Sequence, residues 1–234
     1  SCLVGSEMCI RDRFPEALAF HLANLLGSDT ASPLALSEVI SQCYEDNPKL
    51  IAAAAIDVAA IRDRDSACSE CGTPFLYFKG FHALQSYRIA HHLWESERRE
   101  LALYLQSRSS ICFGVDIHPA AKIGSGIMLD HATGIVIGET SVVGDNVSIM
   151  QEVTLGGTGK VSGDRHPKIE TGVLIGPGSK ILGNITVGEG SQICGGSVVL
   201  KDVPAHTVVA GVPAKTIGTP DDDMPSLTMK QYVE

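Results

Sequence analysis

The chain has 234 residues, 44% hydrophobic and 19% charged, which fits one large globular domain or two small ones and excludes disorder and collagen. Its 18 Lys and Arg against 27 Asp and Glu give a formal charge of -9, with no basic cluster interleaved with aromatics, so nucleic acid and anionic membranes are poor partners and small molecules better ones. The longest apolar run, beginning at Leu50, falls far short of the roughly 18 residues a membrane-spanning helix needs, so a soluble protein is expected.

Residues 1–13, SCLVGSEMCIRDR, have neither a charged start before an apolar core nor a cleavage site, so no signal peptide is read there. The string resembles translated sequencing-adaptor read-through and is set aside as a non-native scar. Four of the 24 glycines lie in residues 1–113 and 20 in 114–218, whereas 11 of the 12 aromatics lie in 1–113. Two architectures are therefore expected: an α-helical domain over 14–110 and a glycine-rich domain over 111–218, followed by a tail over 219–234. The seven cysteines are an odd number in a chain long enough to bury its own core, which argues against a disulfide scaffold and for a cytoplasmic protein.

Leu18, Leu22, Leu25 and Leu26 recur at helical spacing up to the stop at Gly27, and a second helix begins near Pro33. A third takes Pro48 as its first residue with Asn47 as N-cap, and Asp65 falls at or just after its end. A fourth helix is expected from about Pro74 to Glu97, with Phe78, Phe81, His82, Tyr87, Ala90 and Trp94 as a packing stripe. Between them, Cys68 and Cys71 form a single CxxC, read as free thiols.

From Ile117 an aliphatic residue returns every sixth position: Ile117, Ile123, Leu129, Ile135, then Ser141 as the exception, Val147 and Val153. The phase resumes as Ile169, Ile175, Ile181, Val187, Ile193 and Val199. This period reads as a parallel β-helix, three hexads to a coil, with the aliphatic residue inward and glycines at the tight corners. Between Val153 and Ile169 a glycine-rich, polar loop over 156–168 leaves the prism.

Four titratable clusters interrupt this background: Asp65; Asp116 with His118; Asp130 with His131; and Asp164, Arg165 and His166 in the loop. His131 is either a surface histidine or a general base, and Asp116, 15 residues earlier, is just short of one 18-residue coil away. Arg165 and His166 form either a solvated loop tip or a clamp for a substrate carboxylate. GGTGK lacks the glycine and the hydroxyl of a Walker A motif, so a phosphate loop is excluded.

DIHPAAKIGSGIMLDHATGIVIGET, SIMQEVTLGGTGKVSGDRHPKI, AGVPAKTIG and, in the helical half, TPFLYFKGFHALQSYRIAHHLW together resemble the bacterial serine O-acetyltransferases, hexapeptide-repeat acyltransferases, over residues 14–220. The resemblance implies an α+β chain, an α-helical domain followed by a left-handed parallel β-helix, that moves the acetyl group of acetyl-CoA to the hydroxyl of L-serine on the way to cysteine, without a metal. It implies His131 as general base, Asp116 as its orienting partner, and Asp65 and Asp130 at the substrate ammonium. Arg165 and His166 would meet the substrate carboxylate and reacting end. Gly157, Thr158 and the Gly176, Pro177, Gly178 corner would lie along CoA, although Pro177 departs from the smaller residue of the family. L-cysteine is expected as a competing inhibitor, and a homotrimer or dimer of trimers as the assembly, with sites shared between chains. The family tail that inserts into O-acetylserine sulfhydrylase extends beyond the YVE at which this sequence stops.

Three rivals remain at this stage. Another hexapeptide acyltransferase would have no use for Asp65, and a carbonic-anhydrase-like enzyme would need His118, His131 and His166 on zinc. A non-catalytic scaffold would keep its binding when His131 is lost.

Overall fold

A computed structural model describes residues 2–159 and 162–231, with side chains from residue 13 onward. The side chains of residues 1–12, within the stretch read as non-native, and the terminal YVE lie outside the described residues. Six helices come first: α1 (Cys2–Leu26), α2 (Pro33–Asp46), α3 (Lys49–Arg64), α4 (Gly72–Tyr77), α5 (Lys79–Glu95) and α6 (Arg99–Phe113). Pro33 opens α2 behind its N-cap Ser32, whose side chain accepts the Ala35 N–H. Helix α3 starts at Lys49 rather than Pro48, with Asn47 Oδ1 accepting the Lys49 N–H at 3.3 Å. The expected fourth helix is two, since Phe78, with extended backbone, separates α4 from α5; α6, which begins at Arg99 beyond the expected end, is a further helix. Leu18, Leu22 and Leu26 of α1, Leu36 and Ile40 of α2, and Phe81, Leu84, Ile89 and Leu93 of α5 are fully buried together. Each such side chain contributes about 1.5–3 kcal/mol relative to exposure.

The second half is a three-sided prism. One face carries β1 (Val115–Ile117), β4 (Ile135–Ile137), β7 (Thr154–Gly156), β10 (Lys180–Leu182) and β13 (Val198–Val199). The second carries β2 (Lys122–Ile123), β5 (Val142–Val143), β8 (Lys168–Ile169) and β11 (Thr186–Val187). The third carries β3 (Met128–Leu129), β6 (Ser148–Ile149), β9 (Leu174–Ile175), β12 (Gln192–Ile193) and β14 (Val208–Gly211), closed by the antiparallel β15 (Ala214–Gly218). All other pairings are parallel, so the expected parallel β-helix is present.

The register corrects the sequence phase. Ile117, Ile123 and Leu129 stack on Ile137, Val143 and Ile149, and these on Leu155, Ile169 and Ile175. The stacked slot therefore holds Ile137, Val143, Ile149 and Leu155, two residues later than the expected Ile135, Ser141, Val147 and Val153. Those four occupy a second inward slot two positions earlier on each side, shared with Ala121, Ser179, Ser191 and Ser197, all of them 0–1% exposed. Ser141 is thus a regular member of a slot that takes serine and alanine as well as larger aliphatic residues. The first coil is 20 residues long, Val115 to Ile135, against 18 from Lys168 to Thr186, and its two extra residues fall between Leu129 and Ile137. From Val142 to Lys168 the coil takes 26, the excess being the loop between β7 and β8.

Several contacts seat the helices on the first coil. At Gly80 of α5 an added Cβ would stand 2.0 Å from the Leu129 carbonyl, so only glycine permits this approach, and Lys79 Nζ bonds the Thr133 hydroxyl. Beneath them, buried Asp57 of α3 accepts from Arg88 Nε and Nη2, Gln85 Nε2 and the Gly126 and Ile127 N–H groups, while Arg88 also donates to the Gly124 carbonyl. Near the C-terminus, α7 (Pro225–Thr228) folds back onto the third face, where the Ser226 carbonyl accepts from Ser148 Oγ.

Candidate active site

The two extra residues of the first coil form the corner Asp130, His131, Ala132, Thr133, Gly134. His131 and Ala132 both take left-handed backbone, φ 54° and 61°, followed by Gly134 at φ 76°. Left-handed non-glycine residues cost on the order of 1–2 kcal/mol each, and of the seven among the described residues only His131 and Ala132 are adjacent. Ala132 is fully buried under Gly80, whereas the His131 side chain is 72% exposed. The strain and the helical domain together push one imidazole outward.

His131 Nε2 lies 3.9 Å from Asp130 Oδ1. Burial pushes the Asp130 carboxyl above the usual carboxylate range, with Asp65 adding to the shift and His131 opposing it. Asp65 caps α3, its N–H bonded to the Ile61 carbonyl and its Oδ1 accepting the Ala67 N–H at 2.8 Å. A cation placed here would relieve the repulsion between two neighbouring carboxylates.

The second group forms around the β7–β8 loop, on residues of β1 and of the turn after β4. His166 is buried, its ring laid against Gly138, where an added Cβ would stand 2.1 Å from Cδ2 and Nε2. Its Nδ1 accepts the Thr140 N–H at 3.2 Å and meets the Thr140 hydroxyl at 2.9 Å, which leaves the proton of the neutral ring on Nε2. Thr140 Oγ1 also accepts the Arg165 and His166 N–H groups. Burial, aided by Arg165, holds the His166 pKa below its ordinary value, so the ring is a neutral Nε2–H donor. Arg165 Nη2 donates to Glu139 Oε2 at 2.7 Å, and that bond holds the Glu139 carboxyl low. His118, also lowered by burial, sits edge-on to Trp94 with its Nδ1 accepting the Ala120 N–H. Asp116 Oδ1 accepts from Gln106 Nε2 at 2.7 Å.

One chain thus assembles two groups, Asp65, Asp130 and His131 in one, and Asp116, His118, Glu139, Arg165 and His166 in the other. Among the described residues no hydrogen bond or ion pair joins His131 to Asp116. Stacking of coils within the chain does not pair them, because Asp116 opposes Val136, five residues past His131. Nor do His118, His131 and His166 converge within one chain. Gly157 and Thr158 are exposed at the root of the loop, Gly157 lying against the Arg165 side chain. The Gly176 and Gly178 N–H groups are spent on the Ile193 and Gln151 carbonyls, so that corner offers surface rather than free donors.

Thr140, Glu139 and Gln106 escaped the sequence reading. GET follows the β4 aliphatics as an ordinary corner, and only the fold reveals that its threonine organises the arginine and histidine 25 and 26 residues later.

Residues 2–86 match the family described as "Serine acetyltransferase, N-terminal", and residues 166–201 match "Bacterial transferase hexapeptide (six repeats)". The serine acetyltransferase of Salmonella typhimurium is 60% identical over 216 residues, 92% of this chain and 79% of that protein. A serine acetyltransferase solved in complex with cysteine superposes with a TM-score of 0.91 at 55% identity, covering 93% of this chain and 84% of that one. The Brucella abortus enzyme in complex with coenzyme A gives 0.86 at 56%, covering 88% and 82%. The Neisseria gonorrhoeae enzyme in complex with serine gives 0.84 at 51%, covering 86% and 83%.

Proposed function

The chain belongs to the serine acetyltransferase family, and we propose that it transfers the acetyl group of acetyl-CoA to the hydroxyl of L-serine at a site completed by two copies of itself. The observation that carries this reading is the pair of complementary half-sites. Asp65 and Asp130 suit an ammonium, Arg165 and the Nε2–H of His166 suit a carboxylate, and His131 stands exposed on a strained corner with no orienting hydrogen bond among the described residues of its own chain. An assembly about the prism axis, a homotrimer, brings the Asp116 group of one copy against the His131 group of the next.

In that site the substrate is held at both ends, which fixes its Oγ near the thioester carbon. His131 takes the Oγ proton as the oxygen attacks, Asp116 of the neighbouring copy orients the imidazole and offsets its positive charge, and the proton then passes to the departing thiolate of CoA. A thioester is already an activated acyl donor, so this chain needs to supply only a base and donors toward the oxyanion. Gly157, lying against Arg165, and the neighbouring exposed Thr158 are assigned to CoA, with Gly176, Pro177 and Gly178 as apolar surface along its path. L-cysteine, which exchanges only oxygen for sulfur, competes for the serine pocket. A cytoplasmic setting in cysteine biosynthesis, a dimer of trimers and docking on O-acetylserine sulfhydrylase belong to the same reading.

The test is release of CoA thiol from acetyl-CoA with L-serine, set beside L-homoserine, a sugar and no acceptor. Repeating it with L-cysteine requires following loss of the thioester itself. Serine-dependent release suppressed by cysteine is expected. A folded, oligomeric protein that releases no CoA with serine would return the function to the other acyltransferases.

A further inference from the structure

The loop that connects Asp65 to α4 holds the CxxC pair, and its hydrogen bonds tie the two features together. Asp65 accepts twice from this loop, its carbonyl from the Cys68 N–H at 2.9 Å and its Oδ1 from the Ala67 N–H. The two thiols are unlike. Cys68 is buried, with Sγ 3.3 Å from the Glu70 carbonyl, whereas Cys71 is half-buried and has Arg62 Nη1 3.7 Å from its Sγ. Burial pushes the Cys68 thiol up, and Asp65 and Cys71 both lie near enough to add to that shift. Cys68 therefore lies within electrostatic reach of both the site carboxylate and the second thiol.

We propose that Cys68 and Cys71 form a reversible regulatory disulfide that reshapes the loop carrying Asp65 and so sets the affinity for serine, an inference that rests on the acetyltransferase reading of the site. Accessible and beside a cation, Cys71 is the attacking sulfur, and buried Cys68 resolves. The co-reactant is a low-molecular-weight disulfide. Cys71 thiolate displaces one of its sulfurs as a thiolate, forming a mixed disulfide; Cys68 then loses its proton and displaces the second thiolate from Cys71. Two protein thiols become one disulfide, and the small disulfide becomes two thiols by taking up the two electrons and two protons. Closure needs a sulfur separation of about 2.05 Å and Cα atoms about 4.4–6.8 Å apart. Cys68 Sγ must leave Glu70 and Cys71 Sγ must leave Arg62, so the chain between Cys68 and Cys71 rearranges and pulls on the Cys68 N–H that Asp65 accepts. The acetyl-CoA surface at Gly157 and Thr158 is on a different element and is untouched. In a reducing compartment such a pair stays open and closes under oxidation, the usual role of cytosolic dithiols.

Equilibration of the protein in glutathione buffers of graded redox ratio tests the inference. Tryptic peptide 65–79 contains both cysteines. In oxidising buffer it should lose about 2 Da, the two hydrogens of the dithiol, and regain them with dithiothreitol. The serine KM should rise about tenfold in step, the scale of loss from misplacing a binding group, with the acetyl-CoA KM unchanged. Cys71→Ser should match the reduced wild type and ignore the buffer, whereas Cys68→Ser, without the resolving thiol, should retain glutathione on Cys71 and never show the loss of two hydrogens. In the wild type, an intact dithiol at every ratio, glutathione held permanently on Cys71, or a closed disulfide with an unmoved serine KM would each overturn the proposal. Reduced protein without any serine-dependent CoA release would sink the acetyltransferase reading and the regulatory role with it, while the peptide mass still reports whether the bond forms.

Discussion

If each active site is built from two chains, two inactive variants broken in opposite halves repair one another. His131→Ala removes the base and lowers turnover by about 10²–10⁴. Arg165→Ala removes a charged donor worth about 1.5–3 kcal/mol, a loss of roughly tenfold to a hundredfold. In mixed oligomers a site is intact when its His131 comes from an Arg165→Ala chain and its Arg165 from a His131→Ala chain. With a fraction f of one variant, the intact share is f(1−f), about a quarter of all sites at equal amounts in any closed ring. The magnitude follows from the geometry alone, because one chain holds Asp65, Asp130 and His131 apart from Asp116, Arg165 and His166. The assay is serine-dependent CoA release from the two variants co-expressed at graded ratios, plotted against f. A parabola peaking at f of one half is expected. Activity that never exceeds the weighted mean of the two pure variants would refute the shared site, since sites contained within one chain cannot complement.

Four further outcomes follow from single contacts. Gly138→Ala places a Cβ where the His166 ring lies, 2.1 Å from Nε2, and should lower turnover about a hundredfold with an unchanged circular dichroism spectrum; near-normal turnover would mean that His166 is not used in this position. Thr140→Val keeps the N–H that sets the His166 tautomer but strips the acceptor from two backbone donors, at about 1 kcal/mol each, so kcat/KM should fall roughly tenfold to a hundredfold, and a change within twofold would contradict the assignment. Arg88→Met leaves the Asp57 carboxylate buried and uncompensated and should cost about 3–5 kcal/mol in denaturant unfolding, an unshifted midpoint being the contrary result. His82, packed against His21 and bonded to the Phe75 carbonyl, is pushed down by burial from 6.5 to about 4. Its unfolded form protonates first, so stability is complete above pH 6.5 and falls on the order of 3 kcal/mol as pH drops toward 4. His82→Gln should flatten that stretch of the unfolding curve, and an unaltered slope would assign it elsewhere.

The helical half was legible wherever a local signal exists, such as Gly27 or the Ser32–Pro33 start of α2. It was not legible at Phe78, because a one-residue break between two helices leaves the apolar spacing nearly intact. In the prism, the six-residue return of an inward aliphatic residue lay in plain view, but the second inward slot and the change of phase between the two did not. Both slots accept aliphatic residues, so a two-residue insertion merely exchanges them and the count of hydrophobic hits survives. Ser141 was the one mark of the slip, since among the described inward residues serine occurs only in the slot that it shares with Ser179, Ser191 and Ser197. Of the site residues, His131, Asp130, Arg165 and His166 were visible as charges interrupting the repeat. Thr140 and Glu139 were not, because their roles depend on a coil partner 26 residues away.

The two places where the repeat gains residues are the two places where the chemistry gathers. A regular coil satisfies every backbone group against its neighbours and points its aliphatic residues inward, so it has no means of projecting an imidazole at a chosen angle. Two extra residues between Leu129 and Ile137 force left-handed backbone at His131 and Ala132, and Gly80 together with Lys79 of α5 holds that bend in place. The longer excess between β7 and β8 lets Arg165 and His166 return to the β4 corner, where Thr140 fixes both. Each irregularity is supported from outside the repeat that it breaks, the first by the helical domain and the second by its own loop. Removing the first support should therefore silence His131 while leaving His166 in place. Gly80→Ala, which drives a Cβ into the Leu129 carbonyl, should lose turnover even in a chain whose prism remains folded, and should still supply the Arg165 half-site to a His131-competent partner in mixed oligomers. Failure of that rescue in a folded mixed oligomer would show that α5 supports both halves, and the division of labour drawn from the geometry would be wrong.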